Sequence, residues 1–342
     1  MDQITRIFID TSKSVFQLHG VNSAEAVVLR RQLRRKEMTP FFAKLAPTLI
    51  ALEACGGSHH WARVLAGMGH EVKLIAPQHV KPYVKRGKND ARDAEGGCEA
   101  MSRPTMRFVP IKTADDQAAL MLAGVRERLV GDRTQLTNAI RGHAAEFGLV
   151  AAKGLDKIEP LLARIAADET LPALARDLFA GLGGDYARLQ ARFAHIDAEL
   201  KAWHRRHPLS RELAEIPGVG PIGASLLVMK TPDPTAFKSS RHFAAWLGLT
   251  PKDHSTAGKQ RLGVITAAGD ESLRAVLVAG GMSLVNMARR GRGSPWLVKL
   301  AARKPAKLAA VAMANKIARV AWKIMATGET YDSGRPTSAG AA

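Results

Sequence analysis

Residues 88–95 read Lys88-Asn89-Asp90-Ala91-Arg92-Asp93-Ala94-Glu95, and this stretch decides what kind of domain the first third of the chain forms. In a helix, Asp90 and Asp93 lie three residues apart and project from one face. Glu95 points about 200° round from Asp93, at ~100° per residue, and leaves that face. Lys81, Lys85, Arg86 and Lys88 precede the pair, and Arg92 stands within it. One reading is a solvated, salt-bridged helix start with Asn89 or Asp90 as N-cap. The other is half of a divalent-metal site whose cationic flank holds a phosphate backbone. Carboxylates supplied from elsewhere in the chain separate the two.

Two strands supply them. Residues 4–10, Ile-Thr-Arg-Ile-Phe-Ile-Asp, form a β-branched run that ends on Asp10, and residues 48–53, Thr-Leu-Ile-Ala-Leu-Glu, form a second that ends on Glu53. Between them, residues 14–21 and 27–33 read as a hairpin partner and a third, arginine-bearing strand. A helix is predicted from Ser58 to Met68 and a strand from Glu71 to Pro77, ahead of the Asp90/Asp93 helix. The order β-β-β-β-α-β-α describes a mixed sheet with helices packed on it, a single α/β domain over 1–112. Asp10 and Glu53 then meet at one sheet edge, and a helix packed there adds Asp90 and Asp93. Four such carboxylates cannot all stay ionised without a compensating cation. Mg²⁺ suits an oxygen site of this kind, and two ions about 3.5–4 Å apart serve phosphoryl transfer. The four residues at these element ends point to a ribonuclease-H-like nuclease fold.

Past Lys112 the chain turns all-α. Residues 114–146 are mostly good helix formers without a proline, and 174–206 carry Leu178, Leu182, Tyr186, Leu189, Phe193, Ile196, Leu200 and Trp203 at spacings that mostly alternate between three and four. That is the seam of an antiparallel or dimeric coiled coil, and 113–206 reads as a helical arm. Gly181, Gly183 and Gly184 predict a helix that begins only at Asp185. From 207 to 330 a second, mostly helical domain follows, and 331–342 reads as a flexible tail. Its Ile216-Pro-Gly-Val-Gly-Pro-Ile-Gly-Ala224 resembles a helix–hairpin–helix turn. Gly218 and Gly220 there bring amide groups towards a phosphate, or else serve only close helix packing. Further on, Trp246-Leu-Gly-Leu-Thr-Pro251 leads into Lys252-Asp-His-Ser-Thr-Ala-Gly-Lys259. A serine hydroxyl beside Lys259 and Arg261 is able to attack phosphate if activated. Spacing alone fits an ordinary Ser-Thr-Ala-Gly turn equally.

Charge favours a polyanionic partner. The 342 residues hold 50 Lys+Arg against 31 Asp+Glu, a net +19, which attracts nucleic acid and releases its counterions. No 18-residue apolar run offers a membrane span. Two cysteines, Cys55 and Cys98, without a C-x-x-C pair, indicate neither zinc nor disulfides and fit a reducing, cytoplasmic setting, and a nucleic-acid partner places the expected location at the nucleoid. Aromatics at 5% argue against base stacking as the principal mode of binding.

Taken in order, Phe8-Ile-Asp10, Ala51-Leu-Glu53-Ala-Cys-Gly56, Lys88-Asn-Asp90-Ala-Arg-Asp93-Ala94, Ile216-Pro-Gly-Val-Gly-Pro221, Gly248-Leu-Thr-Pro251, His254-Ser-Thr256 and Asp270-Glu-Ser-Leu-Arg274 form a combination. It resembles the DEDD transposases of the insertion-sequence one-ten family, related to the Piv invertase, and its His-Ser-Thr-x-Gly-Lys form resembles the eleven-eleven subgroup. The resemblance implies a RuvC-like domain with Asp10, Glu53, Asp90 and Asp93 as Mg²⁺ ligands, a coiled-coil arm and a transposase domain. It implies a nucleophilic serine, Ser255 by position with Thr256 as alternative, that forms a covalent link to DNA. It further implies donor and target DNA as partners, a structured non-coding guide RNA, and assembly as a dimer or dimer of dimers. Lys85, Arg86, Lys88, Lys259, Arg261 and Arg274 are the expected nucleic-acid contacts, with Gly218 and Gly220. Ala257, where many relatives carry glycine, and Thr266-Ala-Ala268, which lacks a basic residue, depart from the pattern. The competing readings are a RuvC-like junction nuclease that uses water, and a non-enzymatic nucleic-acid-binding protein.

Overall fold

The computed structural model describes residues 3–84, 90–254, 256, 259 and 261–332. The chain divides into two compact units, Met1–Gln117 and Ala118–Ala342. In the first, β1 (Arg6–Thr11), β2 (Val15–Val21) and β3 (Val27–Arg34) lead into α1 (Arg35–Phe42). Then come β4 (Leu49–Glu53), α2 (Ser58–Gly67), β5 (Glu71–Ile75), α3 (Pro77–Val80), α4 (Asp90–Met101) and β6 (Phe108–Val109). The six strands form one mixed sheet in the order β3-β2-β1-β4-β5-β6. β1 runs antiparallel to β2 and parallel to β4, β4 is parallel to β5, and the arginine-rich β3 is an edge.

Side chains alternate across this sheet with period two, and each set builds a different core. Ile7, Ile9, Ile50, Leu52 and Leu74 point to one face and pack with Met38 and Phe42 of α1 and Trp61, Ala62 and Leu65 of α2. Phe8, Ala51 and Ile75 point to the other and pack with Val80 and with Ala94, Cys98 and Met101 of α4. The face that receives α4 is also the face to which Asp10 and Glu53 belong, two residues beyond Phe8 and Ala51.

In this unit α1, α3 and β6 were not expected from the sequence. α1 lies in a basic run and contains Pro40, yet the Glu37 carboxylate accepts a 2.6 Å hydrogen bond from the Arg34 N–H and so closes its first turn. β6 is two residues long and shows no periodicity to read.

The second unit is built on α5 (Ala114–Glu146), which starts at the end of the first, followed by α6 (Ile158–Ala167) and α7 (Ala173–Arg206). After them come α8 (Pro208–Ala214), α9 (Pro221–Lys230), α10 (Ser240–Trp246), the hairpin β7 (Pro251–Asp253) and β8 (Leu262–Ile265), and α11 (Glu271–Ala288), α12 (Pro295–Arg303) and α13 (Ala306–Thr327). α7 is continuous through Gly181, Gly183 and Gly184, so the expected start at Asp185 is corrected to Ala173. Burial of Phe179 and Tyr186 against Ile140, Ile158, Leu161 and Ile165 offsets the low helix propensity of those glycines. α5 and α7 run antiparallel within the one chain. Arg126 Nε donates to Asp197 at 2.9 Å, Arg133 donates to Gln190 at 3.3 Å, and both guanidinium groups lie over the Phe193 ring. The boundary expected at 206/207 falls inside this second unit.

Candidate active site

Asp10 and Glu53 stand at the carboxy ends of adjacent parallel strands, one step past the Ile9–Leu52 pair. The turns that follow are tied together. Thr11 Oγ1 and Cys55 Sγ are 2.8 Å apart, and the Ala54 N–H donates to the Ile75 carbonyl at 2.7 Å. α4 packs on β1, β2 and β4 and brings its amino-terminal end towards the same edge. It comes unusually close because residue 97 is glycine. A Cβ there would lie 2.3 Å from the Phe8 ring, inside any van der Waals contact. Asp93 is one turn ahead of Gly97 on the same side of the helix. Its charge reaches Glu53, whose carboxyl is pushed up from the usual range first by burial and then by Asp93.

A carboxylate held away from water beside a second carboxylate favours its neutral form unless a cation offsets the repulsion. These donors are all hard oxygens, which fits a divalent ion such as Mg²⁺. Among the described residues, no three His, Cys, Asp or Glu side chains gather closely enough to hold an ion by themselves. Asp90 opens α4, but its side chain lies outside the described residues. Lys85, Arg86, Lys88 and Ser255 also lie outside them. Around α4, Tyr83, Arg92, Glu95, Gly96 and Glu99 line a hollow of about 190 Å³.

In the second unit, the β7–β8 hairpin carries the residues that flank Ser255. The His254 N–H donates to the Arg261 carbonyl at 2.9 Å, and Thr256 and Lys259 exchange backbone hydrogen bonds at 3.3 and 3.0 Å. The ladder therefore continues beyond the strands on both sides of Ser255. His254, Arg261, Leu262 and Gly263 line an open cavity of about 540 Å³. In the sequence His254 stands out only as part of a motif; its place on the cavity wall comes from the cross-strand fit over Gly263.

The other expected contacts divide. α8 and α9 pack on each other across the turn 215–220. Gly218 adopts φ +86°, and a Cβ there would sit 3.0 Å from Leu284 and 3.1 Å from the Gly280 carbonyl. In return, a Cβ on Gly280 would lie 1.9 Å from the Gly218 carbonyl, so α11 and the turn touch backbone to backbone. Gly218 thus has a packing role, while Gly220 is exposed with open space around it. Arg274 donates to the Leu247 and Ala268 carbonyls at 3.3 and 2.8 Å, which binds the ends of the hairpin segment to α11.

One polar knot has no counterpart among the sequence motifs. Lys230 Nζ reaches Glu127 at 2.5 Å, Asp270 at 2.9 Å and Ser272 at 2.6 Å, and its side chain is only 12% exposed. Burial alone raises the Asp270 pKa, but hydrogen bonds from the Leu273 N–H, the Ser272 hydroxyl and Lys230 outweigh it and hold the carboxyl below its ordinary value. Burial likewise works against the Lys230 charge, and the two carboxylates outweigh it and raise its pKa. No local pattern marks such a node, because its members come from α5, α9 and the N-cap of α11.

A carboxylate-edged mixed sheet and a basic helical unit suit a protein that acts on nucleic acid. Comparison with known proteins names the family. Residues 8–147 match a DEDD transposase description and residues 210–294 that of the Transposase IS116/IS110/IS902 family. A Sinorhizobium fredii protein named as a transposase is 67% identical over 97% of this chain and 86% of its own length. The transposase for insertion sequence element IS1328 of Yersinia enterocolitica is 38% identical over 97% of this chain and 99% of its own length. The transposase for insertion sequence element IS1111A of Coxiella burnetii is 36% identical over 98% and 93%. The chain belongs to the IS110 family of insertion-sequence transposases. It is a DNA-processing enzyme, and its DEDD signature implies a divalent metal. No described helix is long and apolar enough to cross a membrane.

Proposed function

We propose that this transposase cuts and exchanges DNA strands with two reacting halves, the carboxylates Asp10, Glu53, Asp90 and Asp93 and the hydroxyl of Ser255. The observation that carries the first half is the coupling of Glu53 to Asp93 at the edge where β1 and β4 end. Mg²⁺ ions bound there would offset the charge that develops on the phosphate oxygens. Ser255 Oγ attacks the phosphorus, an Oγ–P bond forms, and the bond from phosphorus to the leaving deoxyribose oxygen breaks. The serine proton passes to a base, and the leaving oxygen takes up a proton. The product phosphodiester is close in energy to the substrate, so strands rejoin without an added energy source. Thr256 is the alternative nucleophile.

Lys85, Arg86, Lys88, Lys259, Arg261, Arg274 and Gly220 are the proposed backbone contacts, supported by the net charge of +19, while Gly218 serves the packing of the turn on α11. A non-coding RNA from the element would choose the sites by pairing with donor and target, which leaves the protein to hold shape and backbone. The arm 113–206 would bring copies together as a dimer or dimer of dimers. The proposed subdivision is 1–112, 113–206 and 207–330, with 331–342 as a tail.

Recombination of a marked element in cells tests the serine. Ser255→Ala should abolish strand exchange, and retained exchange would sink the covalent mechanism in favour of a water-using nuclease. Asp10→Ala or Asp93→Ala should remove all Mg²⁺-dependent cleavage. Sequencing of RNA that copurifies with the protein tests guidance, and the lack of a discrete element-encoded species would refute it.

A further inference from the structure

Between Glu271 and Glu329 the chain carries no acidic residue and eleven Lys or Arg. This segment comprises most of α11, the exposed turn with Arg289, Arg290 and Arg292, α12 and α13. Within it stands a large aromatic side chain that the core does not claim. Trp296, in the first turn of α12, is 45% exposed, whereas its neighbour Leu297 is buried with Val285, Ala301 and Ala309. Lys316 of α13 places its ammonium 4.9 Å from the Trp296 ring centre. The next residue back along α13, Asn315, donates to the Leu249 carbonyl at 3.2 Å, just ahead of the hairpin that bears Ser255 and Thr256. One helix therefore supports both the aromatic ring and the root of the hairpin.

We propose that Trp296 is a stacking shelf for an unpaired nucleobase, held in place by Lys316 and served by Arg289, Arg290 and Arg292 as backbone contacts. An exposed indole with one lysine over its ring and no acidic neighbours in sequence matches a polyanion that carries planar bases. Stacking needs no particular base, since every base has a π face, and so it suits strands that separate during exchange. Composition argued against an aromatic platform, but a single exposed ring needs no platform. The inference rests on nucleic acid as the substrate, yet it concerns binding and does not depend on the serine chemistry.

The test measures equilibrium binding of the full chain, near physiological salt, to fluorescent oligo(dT), oligo(rU), an abasic chain of equal length and a blunt DNA duplex. Trp296→Ala should weaken binding of a base-bearing single strand about tenfold and leave the abasic chain and the duplex within about twofold. Trp296→Phe should keep most of the affinity, which separates a missing ring from a disturbed fold. The larger loss, on DNA or on RNA, identifies the strand. Equal losses on abasic and base-bearing chains, no loss at all, or a changed oligomeric state in light scattering would each overturn the proposal, the last by making Trp296 a contact between copies. Binding is measured without strand exchange, so failure of the serine mechanism and failure of the shelf are read separately.

Discussion

At Glu53, burial and the charge of Asp93 push in the same direction, towards a neutral carboxyl. The proposed function requires the charged form, and a bound dication would relieve that repulsion. Glu53→Gln should therefore unfold at a higher temperature than the parent in chelator and gain less from added Mg²⁺. Strand exchange should fall by about 10²-fold or more, on the scale seen when one stabiliser of transition-state charge is removed. Thermal unfolding with and without Mg²⁺, beside a recombination assay, checks both halves. Lys230 shows the opposite case, a charge whose partners are in place. Lys230→Met strands Glu127 and Asp270, and chemical denaturation should report a loss of about 1.5–3 kcal/mol. The Asp270 pKa is lowered in the fold, so its contribution is present above the ordinary value of 3.8 and is lost as the pH falls through its lower folded value. The Lys230 pKa is raised, so its contribution holds below 10.5 and is lost as the pH climbs through its higher folded value. Parent stability should exceed that of Lys230→Met across the range between, with the gap closing at both extremes. The residue types were legible in the sequence. Their meeting was not, because 103 positions separate Lys230 from Glu127.

Among elements, α4 depends on one missing methyl group. Gly97→Ala would drive a Cβ into the Phe8 ring, lift the helix from β1 and carry Asp93 away from Glu53. The expected result is a loss of about 1–3 kcal/mol from overpacking, and a drop in metal-dependent cleavage larger than that destabilisation explains. Adding Phe8→Leu, which vacates part of the space, should restore a share of both. Calorimetry and cleavage rates on the two variants decide it. The sequence located this helix correctly from its charges, and it located β1, β4 and β5 from β-branched runs. It placed the start of α7 at Asp185, because propensity counts glycines but not the buried Phe179 and Tyr186 that hold the first turns in place. It also passed over α1, where a proline and a basic run conceal a capping carboxylate. Gly218 was legible as a phosphate contact or a packing device, and its approach to Gly280 gives it the packing role.

For the molecule as a whole, a net +19 makes nucleic-acid affinity a function of salt. Replacing Arg289, Arg290 and Arg292 with alanine should flatten the log–log salt dependence of duplex binding by up to about 0.9 for each phosphate left without its cation. An unchanged slope would place the grip elsewhere. By itself the sequence determined the class of protein. Carboxylates at strand ends, a basic helical remainder and the order of short motifs are local or compositional features, and local features survive in a one-dimensional reading. Only the tertiary structure decided which face of the sheet receives α4, how closely Gly97 lets it approach, and that Lys230 and Trp296 have the partners they do. Those outcomes depend on side chains distant in sequence that compete for the same space, and that competition is resolved only when the chain packs.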